Sequence, residues 1–130
     1  MIVVDASVLV AADDVDDPHN RGARAVLEGS DLLATIDLCA WEVANAAIRG
    51  RRDPDAAVRL LQRVWVIERM EGLVRLDDEL LRDACAVAGA HGITVYDAAY
   101  VAAARRLGAR LVSCDVRGLV RRGLAELPAP

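Results

Sequence analysis

The chain has 130 residues, a formal net charge of -4 and 55% hydrophobic residues, enough for one packed core and far from a disordered composition. Every basic residue is an arginine, which removes a P-loop lysine, a Schiff-base lysine and a lysine partner for a phosphorylated aspartate. The negative charge disfavours a general nucleic-acid coat, yet leaves open a nuclease in which divalent ions reverse the sign inside an acidic pocket.

The elements follow in chain order. Ile2-Val3-Val4 reads as a short buried strand that ends on Asp5, and residues 7–12 as a short helix. Asp13-Asp14-Val15-Asp16-Asp17-Pro18 is a polar loop without the glycine and spaced acids of an EF-hand. A helix over 22–27 and a strand over 32–36 follow. Asp37 is placed to cap a helix over 38–49 that stops at Gly50. The next helix, 55–69, carries Val58, Leu61, Val64 and Trp65 at helical spacing as its expected core face. A strand over 72–76 precedes helices over 78–90 and 95–107. Leu111-Val112-Ser113-Cys114 is the last core strand and ends on Asp115. The tail, 116–127, is expected to hold a short helix and an edge strand. Strands alternating with helices predict an α/β fold with a mainly parallel sheet, spanning 1–130 as a single domain.

Cys39, Cys85 and Cys114 are widely spaced, with no C-x-x-C pair, and only His19 and His91 stand beside them. Neither a disulfide frame nor a zinc centre is expected. No apolar run approaches the ~20 residues of a spanning helix. The opening Met1-Ile2-Val3-Val4-Asp5 has no basic n-region. A cytoplasmic protein, free of membrane, is the expectation.

The acids carry the chemical signal. Asp5 and Asp115 end strands, where an open parallel sheet forms its ligand crevice. Glu42 lies in the apolar helix Leu38-Cys39-Ala40-Trp41-Glu42-Val43-Ala44-Asn45, and Asn45 shares its face. Asp97 stands near the start of Thr94-Val95-Tyr96-Asp97-Ala98-Ala99-Tyr100. Each acid has a structural alternative. Asp5 has the place of a helix cap, Glu42 of a buried partner to arginine, Thr94 and Asp97 of a capping box. Taken together, four convergent carboxylates make an oxygen-lined pocket for a hard divalent cation.

At these residues the chain resembles the PIN-domain ribonucleases, particularly the small VapC-type toxins. Val4-Asp5-Ala6-Ser7-Val8-Leu9, Trp41-Glu42-Val43-Ala44-Asn45-Ala46, the stretch from Thr94 to Ala104 and Leu111-Val112-Ser113-Cys114-Asp115 match that family's four acidic motifs in order. Ser113 stands where the family more often has threonine. The resemblance implies a three-layer α/β/α sandwich, an endoribonuclease site and a Mg²⁺ or Mn²⁺ cofactor held by Asp5, Glu42, Asp97 and Asp115. Ser7, Asn45 and Ser113 would orient water or carboxylates around them. It further implies RNA as substrate, a homodimer and a small DNA-binding antitoxin that covers the site. Arg117, Arg49, Arg51 and Arg52 are candidate RNA contacts, each equally readable as a solvated surface charge.

Two other readings stand beside this one: a metal-stabilised module that grips RNA or a partner without cutting, and a housekeeping RNA-processing nuclease. A haloacid-dehalogenase-like phosphotransferase would want an aspartate at position 7 and a later lysine, and Ser7 stands there instead.

Overall fold

In the computed structural model, which describes residues 1–130, four parallel strands form one sheet in the order β3-β2-β1-β4. The strands are β1 (Ile2–Val4), β2 (Leu33–Ile36), β3 (Leu73–Val74) and β4 (Arg110–Val112). The helices are α1 (Ala6–Asp13), α2 (Asn20–Glu28), α3 (Leu38–Asn45), α4 (Pro54–Arg69), α5 (Asp78–His91) and α6 (Val95–Leu107). The chain winds outward from β1 through β2 to β3, then returns across the sheet to place β4 on the other side of β1. Right-handed crossovers in opposite directions put their helices on opposite faces. Helices α1 to α4 accordingly pack together on one face, and α5 with α6 on the other. The result is the expected three-layer α/β/α sandwich. Its switch point lies between β1 and β4, where such a sheet opens its crevice.

Thirty buried hydrophobic residues form one continuous core. Helix α6 starts and stops where the sequence predicts. Thr94 caps its start, and Gly108, left-handed at φ 61°, closes its end. Asp53 and Asp77 cap α4 and α5 in the same way as Thr94, by accepting the amide three residues on.

Several elements differ from expectation. The buried stripe of α4 is Ala56, Leu60, Val64 and Ile67, while Val58 and Trp65 lie exposed on the neighbouring stripe. Both stripes are apolar at helical spacing. The sheet selects the one that meets β2 and β3. The helix expected over 38–49 is α-helical only to Asn45 and then widens into a π turn, Ala46–Gly50, where the Arg51 amide reaches back five residues to Ala46. Asp37 makes no cap. Its carboxylate accepts the Leu76 amide at 3.0 Å, so β3 keeps only two residues in the ladder. Strand β4 ends at Val112, because Ser113 and Cys114 turn away to bond the tail and the start of α1. The expected edge strand is a single parallel bridge between Val112 and Glu126.

One polar tie holds the first helical face together. The Asp13 carboxylate, at the end of α1, accepts from Arg51 at 2.8 Å and from both Nε and Nη2 of Arg59 at 3.0 Å. It joins α1, the segment after the π turn, and α4. The Arg59 hydrogen bonds lead in holding the Asp13 carboxyl below the usual carboxylate range.

Candidate active site

Asp5 leaves β1 in extended conformation and caps α1 by accepting the Val8 amide at 3.3 Å. It is 6% exposed. Both of its oxygens are engaged: the Ser7 hydroxyl donates to Oδ1 and the Ser113 hydroxyl to Oδ2. Each serine oxygen in turn accepts an amide from the segment after β4, Cys114 to Ser7 at 2.8 Å and Asp115 to Ser113 at 2.9 Å. Those amides occupy the serine lone pairs and leave the hydroxyl protons to point at Asp5. Two of these bonds, Ser113 to Asp5 and Cys114 to Ser7, lock the end of β1 to the end of β4, and the two local ones orient the serines.

Asp115 follows two residues later and accepts the Gly118 amide at 2.8 Å, capping a π turn over Val116–Val120. A Cβ added at Gly118 would lie 2.1 Å from Oδ2 of Asp115. Glu42, half-buried on α3, has no arginine partner. Its Oε1 accepts the Tyr100 hydroxyl from α6 at 2.5 Å. Asp97 lies in the first turn of α6. Its amide bonds the Thr94 hydroxyl at 3.1 Å, but the reciprocal half of the expected capping box does not form, which leaves the Asp97 carboxylate turned to the crevice.

The four carboxylates feel one another. Burial raises the Asp5 carboxyl above its ordinary range, against the lowering by Ser113, Ser7 and Val8, and Asp97 adds repulsion. Burial also raises Glu42, where the Tyr100 bond opposes it and the charges of Asp5 and Asp97 add to it. Asp97 is raised by burial and then by Asp115, with Thr94 opposing. No cation of the protein contributes to any of these shifts. An excess of negative charge held without a protein counterion suits a hard divalent cation. No three of the chain's His, Cys, Asp and Glu side chains stand as a ligand cage. The fit rests on donor chemistry and shared charge.

Nucleophilic cysteine chemistry is disfavoured. Burial pushes the Cys114 thiol up to about 12 and Cys39 to about 11, which leaves no thiolate near neutral pH.

The other expected residues divide. Ser7 and Ser113 join the cluster. Asn45 lies one turn beyond Glu42, exposed, with no side-chain bond to it. Arg51 is occupied by Asp13, whereas Arg49, Arg52 and Arg117 are exposed and form no ion pair. Arg52 holds a left-handed backbone, φ 51°. Two residues at the site went unassigned in the sequence. Tyr100 sits three positions after Asp97, which on a helix means the same face. Gly118 sits three after Asp115, the spacing of a side chain that caps an amide.

Beside the acids runs an apolar groove of about 350 Å³, walled by Leu38, Trp41, Leu76, Leu81, Val95 and Tyr96. None of the four acids lines it. It flanks them all the same, since Trp41 and Tyr96 immediately precede Glu42 and Asp97. Trp41 is 79% exposed, an unusual state for tryptophan in an isolated surface.

The fold and site define an open, doubly wound α/β protein with an acidic crevice at its switch point. The PIN-domain model matches residues 2–123, and the chain belongs to the PIN-domain family. It is 41% identical over 119 residues to Ribonuclease VapC3 of Pyrobaculum aerophilum, covering 88% of each protein. Its fold is similar to that of the Mycobacterium tuberculosis toxin VapC20, described as cleaving the sarcin-ricin loop, at a TM-score of 0.73 and 19% identity over 90% of this chain and 92% of that one. A toxin–antitoxin complex from Klebsiella pneumoniae aligns at a TM-score of 0.73 and 14% identity over 99% and 98%. No helix is long and apolar enough to cross a membrane.

Proposed function

We propose that this chain is a Mg²⁺- or Mn²⁺-dependent endoribonuclease, the toxin of a toxin–antitoxin pair, acting in the cytoplasm as a homodimer of one-domain subunits. The observation that carries the reading is that Asp5 and Asp115, just beyond the neighbouring strands β1 and β4, and Glu42 and Asp97, on the helices α3 and α6 that the Tyr100 bond ties together, have no arginine partner. Membership of the PIN family and the likeness to Ribonuclease VapC3 support the same activity. Support for an antitoxin partner comes from the likeness to the Klebsiella pneumoniae complex. The exposed apolar wall of Trp41, Leu76, Leu81 and Tyr96 favours a subunit contact beside the crevice.

In this reading Asp5 and Asp97 are direct ligands, and Glu42 and Asp115 hold the cation directly or through water. A bound divalent ion supplies Lewis acidity for attack of water on the phosphodiester and neutralises charge on the leaving oxygen. The protein's part is orientation. Ser7 and Ser113 fix both oxygens of Asp5, so its carboxylate presents one geometry. Tyr100 fixes one oxygen of Glu42 and leaves the other free. Asp97, at a helix start, has its negative charge favoured by the helix dipole while burial opposes it. Of the candidate RNA contacts, Arg49, Arg52 and Arg117 carry positive charge not spent on an ion pair and available to RNA phosphates.

The test is incubation of the purified protein, free of antitoxin, with a mixed RNA pool in Mg²⁺, Mn²⁺ or chelator, with Asp97→Asn alongside. Discrete fragments that need metal and are missing from the variant are the expected result. A folded wild type that binds Mn²⁺ and RNA but cuts nothing would place it among non-cleaving binding modules.

A further inference from the structure

Three glycines stand where a Cβ would find no room, and they differ in what they press against. Gly22 and Gly72 face backbone carbonyls, Pro128 at 2.4 Å and Leu33 at 2.2 Å. Gly118 faces a side chain: its virtual Cβ lies 2.1 Å from Oδ2, 2.9 Å from Cγ and 3.1 Å from Oδ1 of Asp115. Backbone conformation does not require glycine there, since only Gly92, Gly108 and Gly123 are left-handed. The Gly118 amide meanwhile donates to Oδ1 at 2.8 Å. One residue thus draws in the Asp115 carboxylate with its amide and makes space for it by having no side chain.

We infer that Gly118 is a positioning residue for the acidic site, seating the Asp115 carboxylate against the π turn. The inference rests on the metal-site reading above for its functional consequence, though the seat itself is a matter of geometry. A methyl group at 118 must evict the carboxylate rather than the backbone. The carboxylate is the free end of a side chain and swings away at the cost of one capping bond, leaving the backbone in place. The carboxylate remains in the protein and leaves the crevice.

The experiment compares Gly118→Ala, Asp115→Ala and the double variant by thermal melting, Mn²⁺ titration calorimetry of the RNA-free protein, and RNA cleavage. Gly118→Ala is expected to melt close to wild type and to bind Mn²⁺ about 10-fold more weakly, with a similar fall in cleavage. In the Asp115→Ala background the added Gly118→Ala should change neither measurement further, because the Cβ then meets no carboxylate. Wild-type Mn²⁺ affinity in Gly118→Ala, additive losses in the double variant, or a collapsed melt would each overturn the inference. A crystal structure of Gly118→Ala separates this from the metal reading. If wild type binds no Mn²⁺, the metal reading fails, and the seat still stands or falls on whether the Asp115 carboxylate has rotated out.

Discussion

The Tyr100 hydroxyl on α6 and the Glu42 carboxylate on α3 meet at 2.5 Å across 58 positions of sequence. Tyr100 is 2% exposed, and burial raises its phenol well above the ordinary value, so it stays a donor at any working pH. Glu42 has no other side-chain partner. Tyr100→Phe keeps the ring in the core and removes only the donor. Urea unfolding should show a loss of about 1.5 kcal/mol, the lower end for a bond to a charged group, since Glu42 is only half-buried. RNA cleavage should fall about 10- to 100-fold while the fold persists. Unchanged cleavage in a folded Tyr100→Phe would remove the positioning role of this bond.

The crevice also sets a pH dependence. Asp5, Glu42 and Asp97 all lie above the ordinary carboxylate range, with burial the leading cause in each. The folded protein therefore holds protons that the unfolded chain has released. Stability from these groups is fully present below about pH 4, and it is lost as pH rises through the higher folded-state values. Asp97→Asn should accordingly melt above wild type at pH 7.5 and level with it near pH 4. In wild type, Mn²⁺ at a hundredfold excess over its Kd should raise the melting temperature by roughly 10 °C at pH 7.5. The shift should shrink at pH 5, where protons compete, and largely vanish in Asp97→Asn. Differential scanning fluorimetry at the three pH values decides it.

Asp13 titrates in the opposite sense. The Arg59 hydrogen bonds, and then those of Arg51, hold its carboxyl low, so its stabilisation is present above about pH 4. It fades as pH falls through the lower folded-state value. Asp13→Asn should cost about 1–2 kcal/mol at pH 7, modest because Arg59 is half exposed to solvent. The difference from wild type should narrow toward pH 2 in urea titrations. A gap that stays constant with pH would assign the loss to packing instead.

The same tie sorts the arginines. Arg51 spends its charge on Asp13, whereas Arg49, Arg52 and Arg117 form no ion pair. Alanine at Arg51 should lower stability and leave the salt dependence of RNA binding as it was. Where Arg49, Arg52 or Arg117 meets a phosphate, its alanine variant should flatten the log–log salt slope by about 0.7 on single-stranded RNA. Fluorescence anisotropy in the non-cleaving Asp97→Asn background measures this directly.

What was legible in the sequence follows from range. Helix α6 was readable to its ends because Thr94 and Gly108 are local signals. Asp5 was readable as a strand end because a run of β-formers stops there, whereas β4 stops three residues short of Asp115, where Ser113 and Cys114 turn to partners remote in sequence. The face of α4 was not, since Val58 and Trp65 make as good a helical stripe as Leu60 and Ile67 until a sheet is present to choose. Asp37 looked like a cap because capping is local, while its real partner, the Leu76 amide, lies 39 residues on. The bond from Tyr100 to Glu42 was hidden for the same reason. Gly118 was hidden by the opposite problem: its neighbour is local, but a missing side chain leaves no pattern to read.

The central pair of strands has a consequence for how the protein comes into being. Strands β1 and β4 lie side by side, yet Ser7 and Ser113 are separated by 106 positions. Asp5 is made long before Ser113, Asp115 and Gly118, which lie more than a hundred positions further along the chain. A chain arrested or clipped before residue 110 has β1 without β4 beside it, Asp5 without one of its two hydroxyls, and no Asp115 at all. The earlier helices can pack and the core can begin to fill, but the crevice has only one wall. The four acids can therefore share a site only once the chain extends past Asp115, and a copy interrupted earlier has an incomplete crevice.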